Sequence, residues 1–198
     1  EEAGSKLDKA RELGVAVIYH ATLVDEEACD ALETAKGWCF VSPTLGINYT
    51  TLNEAAKWGI TTQVAESMGM RIELDAGIRN MKELKKRGVR VLPGGDYGFA
   101  WNPIGANARD IEHFVNLLGF SPMDAILSAT KLGGEIMMAG NEMGQVRPGY
   151  LADMILVDGN PVANVKLLQD AGKLLMIMKD GQFHKEPQIA AQTQRQIA

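Results

Sequence analysis

Three short apolar runs alternate with helix-like stretches along the first half of this chain, and that alternation most limits the folds open to it. The runs are Val15-Ala16-Val17-Ile18-Tyr19, Trp38-Cys39-Phe40-Val41 and Val89-Arg90-Val91-Leu92. The first two are continuously apolar and too short for helices, which is the pattern of strands buried on both faces. Parallel strands need long crossovers, and the segments between these runs read as helices.

Residues 1–13 place Leu7, Ala10 and Leu13 at helical spacing and stop at Gly14, which supplies the left-handed C-cap. Asp25 is an N-cap for a helix over about 26–36, closed by Gly37. A third helix, about 70–87, has Leu74, Ile78, Met81 and Leu84 on one face and Lys85, Lys86 and Arg87 in its last turn, where cations suit the dipole. Strand, helix, strand, helix, strand predicts right-handed βαβ units around a parallel sheet, open or closed into a barrel. The long connection from Ser42-Pro43 to about residue 69 carries Thr44, Asn48, Tyr49, Thr50 and Thr51, with a helical patch near 52–58. Such connections commonly serve as lids or binding loops.

The second half changes character. Helices are expected over about 106–118, from Ser121-Pro122 onward, and over about 132–139. From Gly144 the composition turns to strands, over about 151–157 and 173–179, the latter closed by Asp180-Gly181. His184 is expected in a turn, and the polar, Gln-rich tail beyond it to be loosely held.

At 198 residues and 46% hydrophobic, the chain is long enough for one domain and part of a second. A net charge of −5 leaves no footprint for nucleic acid or an anionic membrane, so small molecules or peptides are the expected partners. Cys29 and Cys39 lie in no CxxC or Cys/His cluster, which excludes a disulfide framework and points to a reducing, cytoplasmic compartment. No apolar run reaches the roughly 18 residues of a membrane span, and the first residues are not a signal peptide. With no initiator Met and a start in mid-pattern, the chain is expected to be a piece of something longer.

Chemistry points to two strand ends. Val89-Arg90-Val91-Leu92 runs into Pro93-Gly94-Gly95-Asp96-Tyr97-Gly98, which sets an uncrowded carboxylate at the mouth of a strand. His20 directly follows the first run, so in a parallel sheet His20 and Asp96 project at the same carboxyl face, where α/β proteins bind ligands. Tyr97, Trp101 and Asn102 follow the aspartate and are candidates to line a substrate pocket. The Gly-rich run has neither the Walker lysine nor GxGxxG spacing, which counts against a nucleotide-binding domain. His113 and His184 receive no function, and the methionines read as core.

The segment Gly144-Gln145-Val146-Arg147-Pro148-Gly149-Tyr150-Leu151-Ala152-Asp153-Met154-Ile155-Leu156-Val157-Asp158-Gly159-Asn160-Pro161 resembles the ending of metal-dependent amidohydrolases, where a Pro-Gly turn and an Ala-Asp pair lead into a strand of a small β-sandwich. Lys179-Asp180-Gly181 resembles the last sandwich hairpin, and Ala125, Ala129 and Thr130 match the helix after Ser121-Pro122. Asn107-Ala108-Arg109-Asp110-Ile111-Glu112 is similar to the helix after the eighth strand in the imidazolonepropionase-like and prolidase-like branch.

The resemblance implies the C-terminal part of a (β/α)8 TIM barrel, about strands six to eight, over 1–143, with strands of the sandwich over 144–185 and a polar tail over 186–198. It implies a divalent metal, zinc above all, as one or two ions, with Asp96 a ligand that also accepts the proton of a metal-activated water during carbon–nitrogen bond hydrolysis, and His20 a ligand of the second ion in two-metal members or a polarising group near the carbonyl in one-metal members. The family's His-x-His pair, its carboxylated lysine and its fifth-strand histidine have no counterpart and would lie before residue 1. Two ligands are short of the four that zinc prefers. The expected partners are therefore the N-terminal remainder of the barrel, a small amide or dipeptide substrate, and a second copy in a homo-oligomer. A non-catalytic barrel fragment that binds a second chain is the alternative.

Overall fold

The computed structural model of the chain describes residues 2–188. Helix α1 (Glu2–Glu12) leads to strand β1 (Val17–Tyr19), helix α2 (Glu26–Ala35) to β2 (Phe40–Ser42), and a helical connection to β3 (Arg90–Val91). The strands pair in parallel in the order β1-β2-β3, with Ile18 opposite Val41 and Val41 opposite Val91. The fold is thus α/β around a parallel sheet. Asp25 caps α2 as its spacing predicts, accepting from the Ala28 N–H at 2.9 Å.

Expectations change in several places. Residues 43–69 are helical well beyond the patch expected near 52–58: they form α3 (Leu45–Asn53), a 3₁₀ turn (Ala55–Trp58) and α4 (Thr62–Ser67) before α5 (Met70–Lys86). The signal is hidden because Gly46, Asn48, Thr50 and Thr51 are weak helix formers. Burial of Leu45 and Leu52 overrides propensity, and the Thr50 hydroxyl turns back to the Gly46 carbonyl at 2.9 Å. Secondly, β1 is not buried on both faces. It is the sheet's edge, and Tyr19 is 64% exposed, because no further strand pairs with it among the described residues.

Register decides what each sheet face does. Ile18, Val41 and Val91 share the face that packs into the core with Cys29 and Leu32 of α2, and with Leu74, Met81 and Leu84 of α5. Both cysteines are free and buried, and burial pushes both thiols up, so they serve as core. Arg87, just after α5, ties the two helices together through Asp30 and Glu26 on one side and Glu83 on the other.

On the other face the Arg90 guanidinium lies 3.8 Å from the Phe40 ring centroid and pairs with Glu135. Glu135 belongs to α8 (Lys131–Ile136), which follows α6 (Arg109–Asn116) and α7 (Pro122–Ala129). These three helices cover that face incompletely. An apolar cavity of ≈ 380 Å³ remains between them and Val17, Tyr19, Ser42 and Leu92.

Helix α6 starts at Arg109 rather than near residue 106, because residues 103–108 are turns in which Asn107 Oδ1 accepts from the Gly105 N–H. Beyond α8 a separate antiparallel sheet, β4 (Met154–Val157), β5 (Leu174–Lys179) and β6 (Gln182–Lys185), joins β5 to β6 through Asp180-Gly181. His184 therefore lies in a strand and not in a turn. Apolar residues are left half-exposed along all three strands, Ile155 and Leu156 on β4, Leu175 on β5 and Phe183 on β6. Most of the expected tail, residues 189–198, lies outside the described residues.

Leu84 is fully buried between the sheet and α5's neighbours, so Leu84→Ala is expected to cost about 2–5 kcal/mol, read as a lower urea midpoint at unchanged m. A second prediction concerns α6, which buries two titratable groups. Burial pushes Asp110 up to about 6, against the pull of Tyr97, Gly94 and Arg109. Burial and Arg109 push His113 down to about 4, against Glu112 and Glu54.

The signs oppose. Asp110 binds its proton more tightly folded than unfolded, so its contribution is full below about pH 4 and is lost as pH rises to about 6. His113 is held neutral, so its contribution is full above about pH 6.5 and is lost as pH falls to about 4. Each is worth about 3 kcal/mol at roughly 1.4 kcal/mol per pKa unit. Relative to the native chain, Asp110→Asn should make stability climb more steeply with pH between about 4 and 6, and His113→Gln should make it climb less or fall. Urea midpoints across that range measure both.

Candidate active site

Parallel pairing delivers three strand ends to one side of the sheet. His20 follows β1, Ser42-Pro43-Thr44 ends β2, and Leu92 to Asp96 follows β3. The loop after β1 is fastened from below, where Asn80 of α5 donates to the carbonyls of Thr22 at 2.7 Å and Val24 at 3.2 Å.

His20 is exposed, with its backbone N–H bonded to the Ser42 carbonyl at 2.8 Å. Its Nδ1 lies 2.7 Å from the Thr44 hydroxyl, which leaves Nε2 as the nitrogen free to meet a ligand. A ring nitrogen held in this way fixes the ring's orientation, as second partners of metal-binding histidines do. Thr44 is 5% exposed, and the sequence places it only among the polar residues of the long connection, with no role of its own. Its only signal there is a hydroxyl just past the Ser-Pro stop of a strand.

Asp96 is exposed and adopts a left-handed backbone, φ 54°. The residues around it are turned inward to hold it. Asn102 is 1% exposed, and its amide donates to the carbonyls of Gly95 at 2.8 Å and Asp96 at 2.9 Å. Tyr97 donates its hydroxyl to Asp110 Oδ1 at 2.8 Å; burial, then the negative charge of Asp110, push the phenol well above its ordinary value. Trp101 donates from Nε1 to Thr51 Oγ1 at 2.9 Å, which moors the loop to α3, and its ring packs tilted against Trp58 and Phe99.

The glycines before Asp96 are needed for close approach. A Cβ on Gly94 would collide with the Ser42 hydroxyl, and one on Gly46 would come within 2.8 Å of the Gly95 carbonyl oxygen. The β2 and β3 loops therefore mesh backbone to backbone. The Ser42 and Thr44 region touches His20 on one side and the Asp96 loop on the other, so both candidate ligands belong to one contact network.

A metal is compatible with what is present. An imidazole nitrogen and a carboxylate, both exposed at one end of the sheet, are donor types that zinc accepts. Among the described residues no three His, Cys, Asp or Glu side chains converge. His20 and Asp96 are two candidate donors. His113 lies apart from them, buried on α6 against the Tyr49 ring at 4.7 Å between centroids.

Comparison with known proteins agrees with this architecture. Ochratoxinase of Aspergillus niger is 28% identical over 120 residues, 58% of this chain and 23% of that protein. Its crystal structure superposes at a TM-score of 0.72 and 23% identity, over 89% of this chain and 38% of the other. A Xaa-Pro dipeptidase with bound methionine in its active site gives a TM-score of 0.72 at 21% identity, over 93% of this chain and 48% of the other. The chain therefore spans less than half the length of the proteins it matches. The model of the amidohydrolase family matches residues 2–183, nearly the whole chain, and the chain belongs to that family.

Proposed function

We propose that this chain contributes the carboxyl-terminal part of a metal-dependent hydrolase of carbon–nitrogen bonds, acting on an amide, peptide or cyclic amide. The observation that carries the reading is the placement of His20 and Asp96 at the same end of a parallel sheet, in a chain of the amidohydrolase family. Two relatives narrow the substrate class: one is named an ochratoxinase and the other a Xaa-Pro dipeptidase.

In this reading His20 Nε2 and an oxygen of Asp96 hold a divalent ion, zinc by preference, as one or two ions, with further donors from outside the described residues. Such an ion, when bound, polarises the scissile carbonyl and lowers the pKa of water towards about 7. With Nε2 on the ion the hydrogen is on Nδ1, and Thr44, 2.7 Å away, would accept it and keep the ring in one orientation. Asp96 takes the proton of the attacking water on its carboxylate and returns it to the leaving nitrogen. Its exposure suits this task, since the carboxylate has no side-chain partner of its own among the bonds that fix the loop.

The sheet is read as about strands six to eight of a (β/α)8 barrel over residues 1–143, and β4–β6 as part of a sandwich over 144–185. The exposed edge at β1, with Val15 46% and Tyr19 64% exposed, supports completion by further strands of the same barrel. Such an edge is otherwise a template for misassembly.

Asp96→Asn, introduced into the full-length enzyme, tests the reading. It keeps the side chain's shape and removes the proton acceptor, so kcat against an N-acyl amino acid or dipeptide is expected to fall by about 10²–10⁴. Hydrolysis at the native rate would overturn the role given to Asp96.

A further inference from the structure

Asp110 lies on α6, 14 positions beyond Asp96, and is 4% exposed. The cation next to it in sequence, Arg109, is committed to Glu54 through both terminal guanidinium nitrogens. A carboxylate taken from water without an ion-pair partner is costly, and its place in a fold is explained by what it bonds. Its acceptor bonds both go to the β3 loop: the Tyr97 hydroxyl at 2.8 Å and the Gly94 N–H. These groups stand two residues before Asp96 and one residue after it.

The packing is equally close. A Cβ on Gly95 would come within 2.7 Å of Asp110 Oδ1 and 2.6 Å of the Tyr97 ring, so the carboxylate lies against the loop backbone itself. From the other direction the Asn102 amide holds the carbonyls of Gly95 and Asp96. Donors of the loop are held by Asp110 and acceptors by Asn102. Between the two grips sits a non-glycine residue in the left-handed region, φ 54°, a conformation that persists only where surroundings over-determine it.

We propose that Asp110 is a positioning residue, acting through Tyr97 and Gly94 to hold Asp96 in its left-handed conformation and so aim its carboxylate. This rests on the reading of Asp96 as the proton acceptor, and it assigns Tyr97 to the scaffold of the site in place of its substrate contacts. Asp110 does not touch the substrate.

The test uses the full-length enzyme with Asp110→Ala, Asp110→Asn, Tyr97→Phe and Asp96→Asn. In Asp110→Ala the Gly94 amide should exchange at least about ten-fold faster relative to the core amide of Val41, a local opening without global unfolding. In the same variant kcat should fall about 10- to 100-fold while KM stays within about two-fold, since a misaimed group loses rate and not substrate binding. Asp110→Asn, which keeps one acceptor oxygen, should recover part of kcat. Tyr97→Phe removes a single hydroxyl and should lower kcat at constant KM even if Asp110→Ala does not fold.

Unchanged relative exchange at Gly94 in Asp110→Ala would overturn the proposal. So would native kcat in Tyr97→Phe and Asp110→Asn alongside an inactive Asp96→Asn. A fully active Asp96→Asn would instead overturn the role of Asp96, and Gly94 exchange alone would then decide whether Asp110 holds the loop.

Discussion

Because β1, β2 and β3 run parallel and in register, whatever follows each strand is delivered to the same edge of the sheet. An antiparallel neighbour would have sent one of those loops to the opposite end. The pairing is made secure by the apolar row Ile18, Val41 and Val91, which must face α2 and α5; a slip of one residue would turn that row away from the core. Burial of this row therefore fixes where His20 and Asp96 stand, although neither residue contributes to it.

Backbone strain is gathered at that edge. His20, Ala21, Thr44 and Asp96 all have positive φ without being glycine, and each directly follows or lies close behind one of the three strands. Such residues cost of order 1–3 kcal/mol each and survive only where neighbouring contacts outweigh the cost. Those contacts are present: Asn80 beneath the first loop, the Thr44 hydroxyl on His20, and Asn102 with Asp110 around Asp96. Most of the remaining positive φ values belong to glycines, as at Gly14 and Gly88 after α1 and α5, where the conformation is free of strain.

The sequence was informative where one local pattern sufficed. Asp25 and Ser121 cap helices in the structure as their spacing suggests, and the face Leu74, Met81 and Leu84 is buried. The placement of His20 and Asp96 at one end of the sheet was legible because His20 directly follows an apolar run and Asp96 follows another after Pro93-Gly94-Gly95. Helix α3 was not, since its glycine, asparagine and threonines hide a periodicity that only tertiary burial rescues. The edge position of β1 could not be read either, because an apolar run records what a strand is made for and not which neighbours pair with it. Asp110 had a usable signal that went unweighed: an acid that shares the apolar face of α6 with Phe114, one turn away, must find partners in the interior.

The bonds that shape the Asp96 loop run between Gly94 and Asp110 and, through Trp101, to Thr51 of α3, and those that shape the His20 loop run to Ser42, Thr44 and Asn80. No bond in either set reaches β4, β5 or β6. His20 and Asp96 are thus positioned by the sheet and the helices packed on it, independently of what pairs with the open edge of β1. In the proposed function this makes a half-site that is held in place before other strands supply further ligands. Such holding matters for the role proposed for Asp96, beside an ion and exchanging a proton with water, since a donor free to swing would lose rate at each step through misalignment. On that proposal the buried Asn102 and Asp110 serve the chemistry alongside the exposed Asp96, although neither faces solvent.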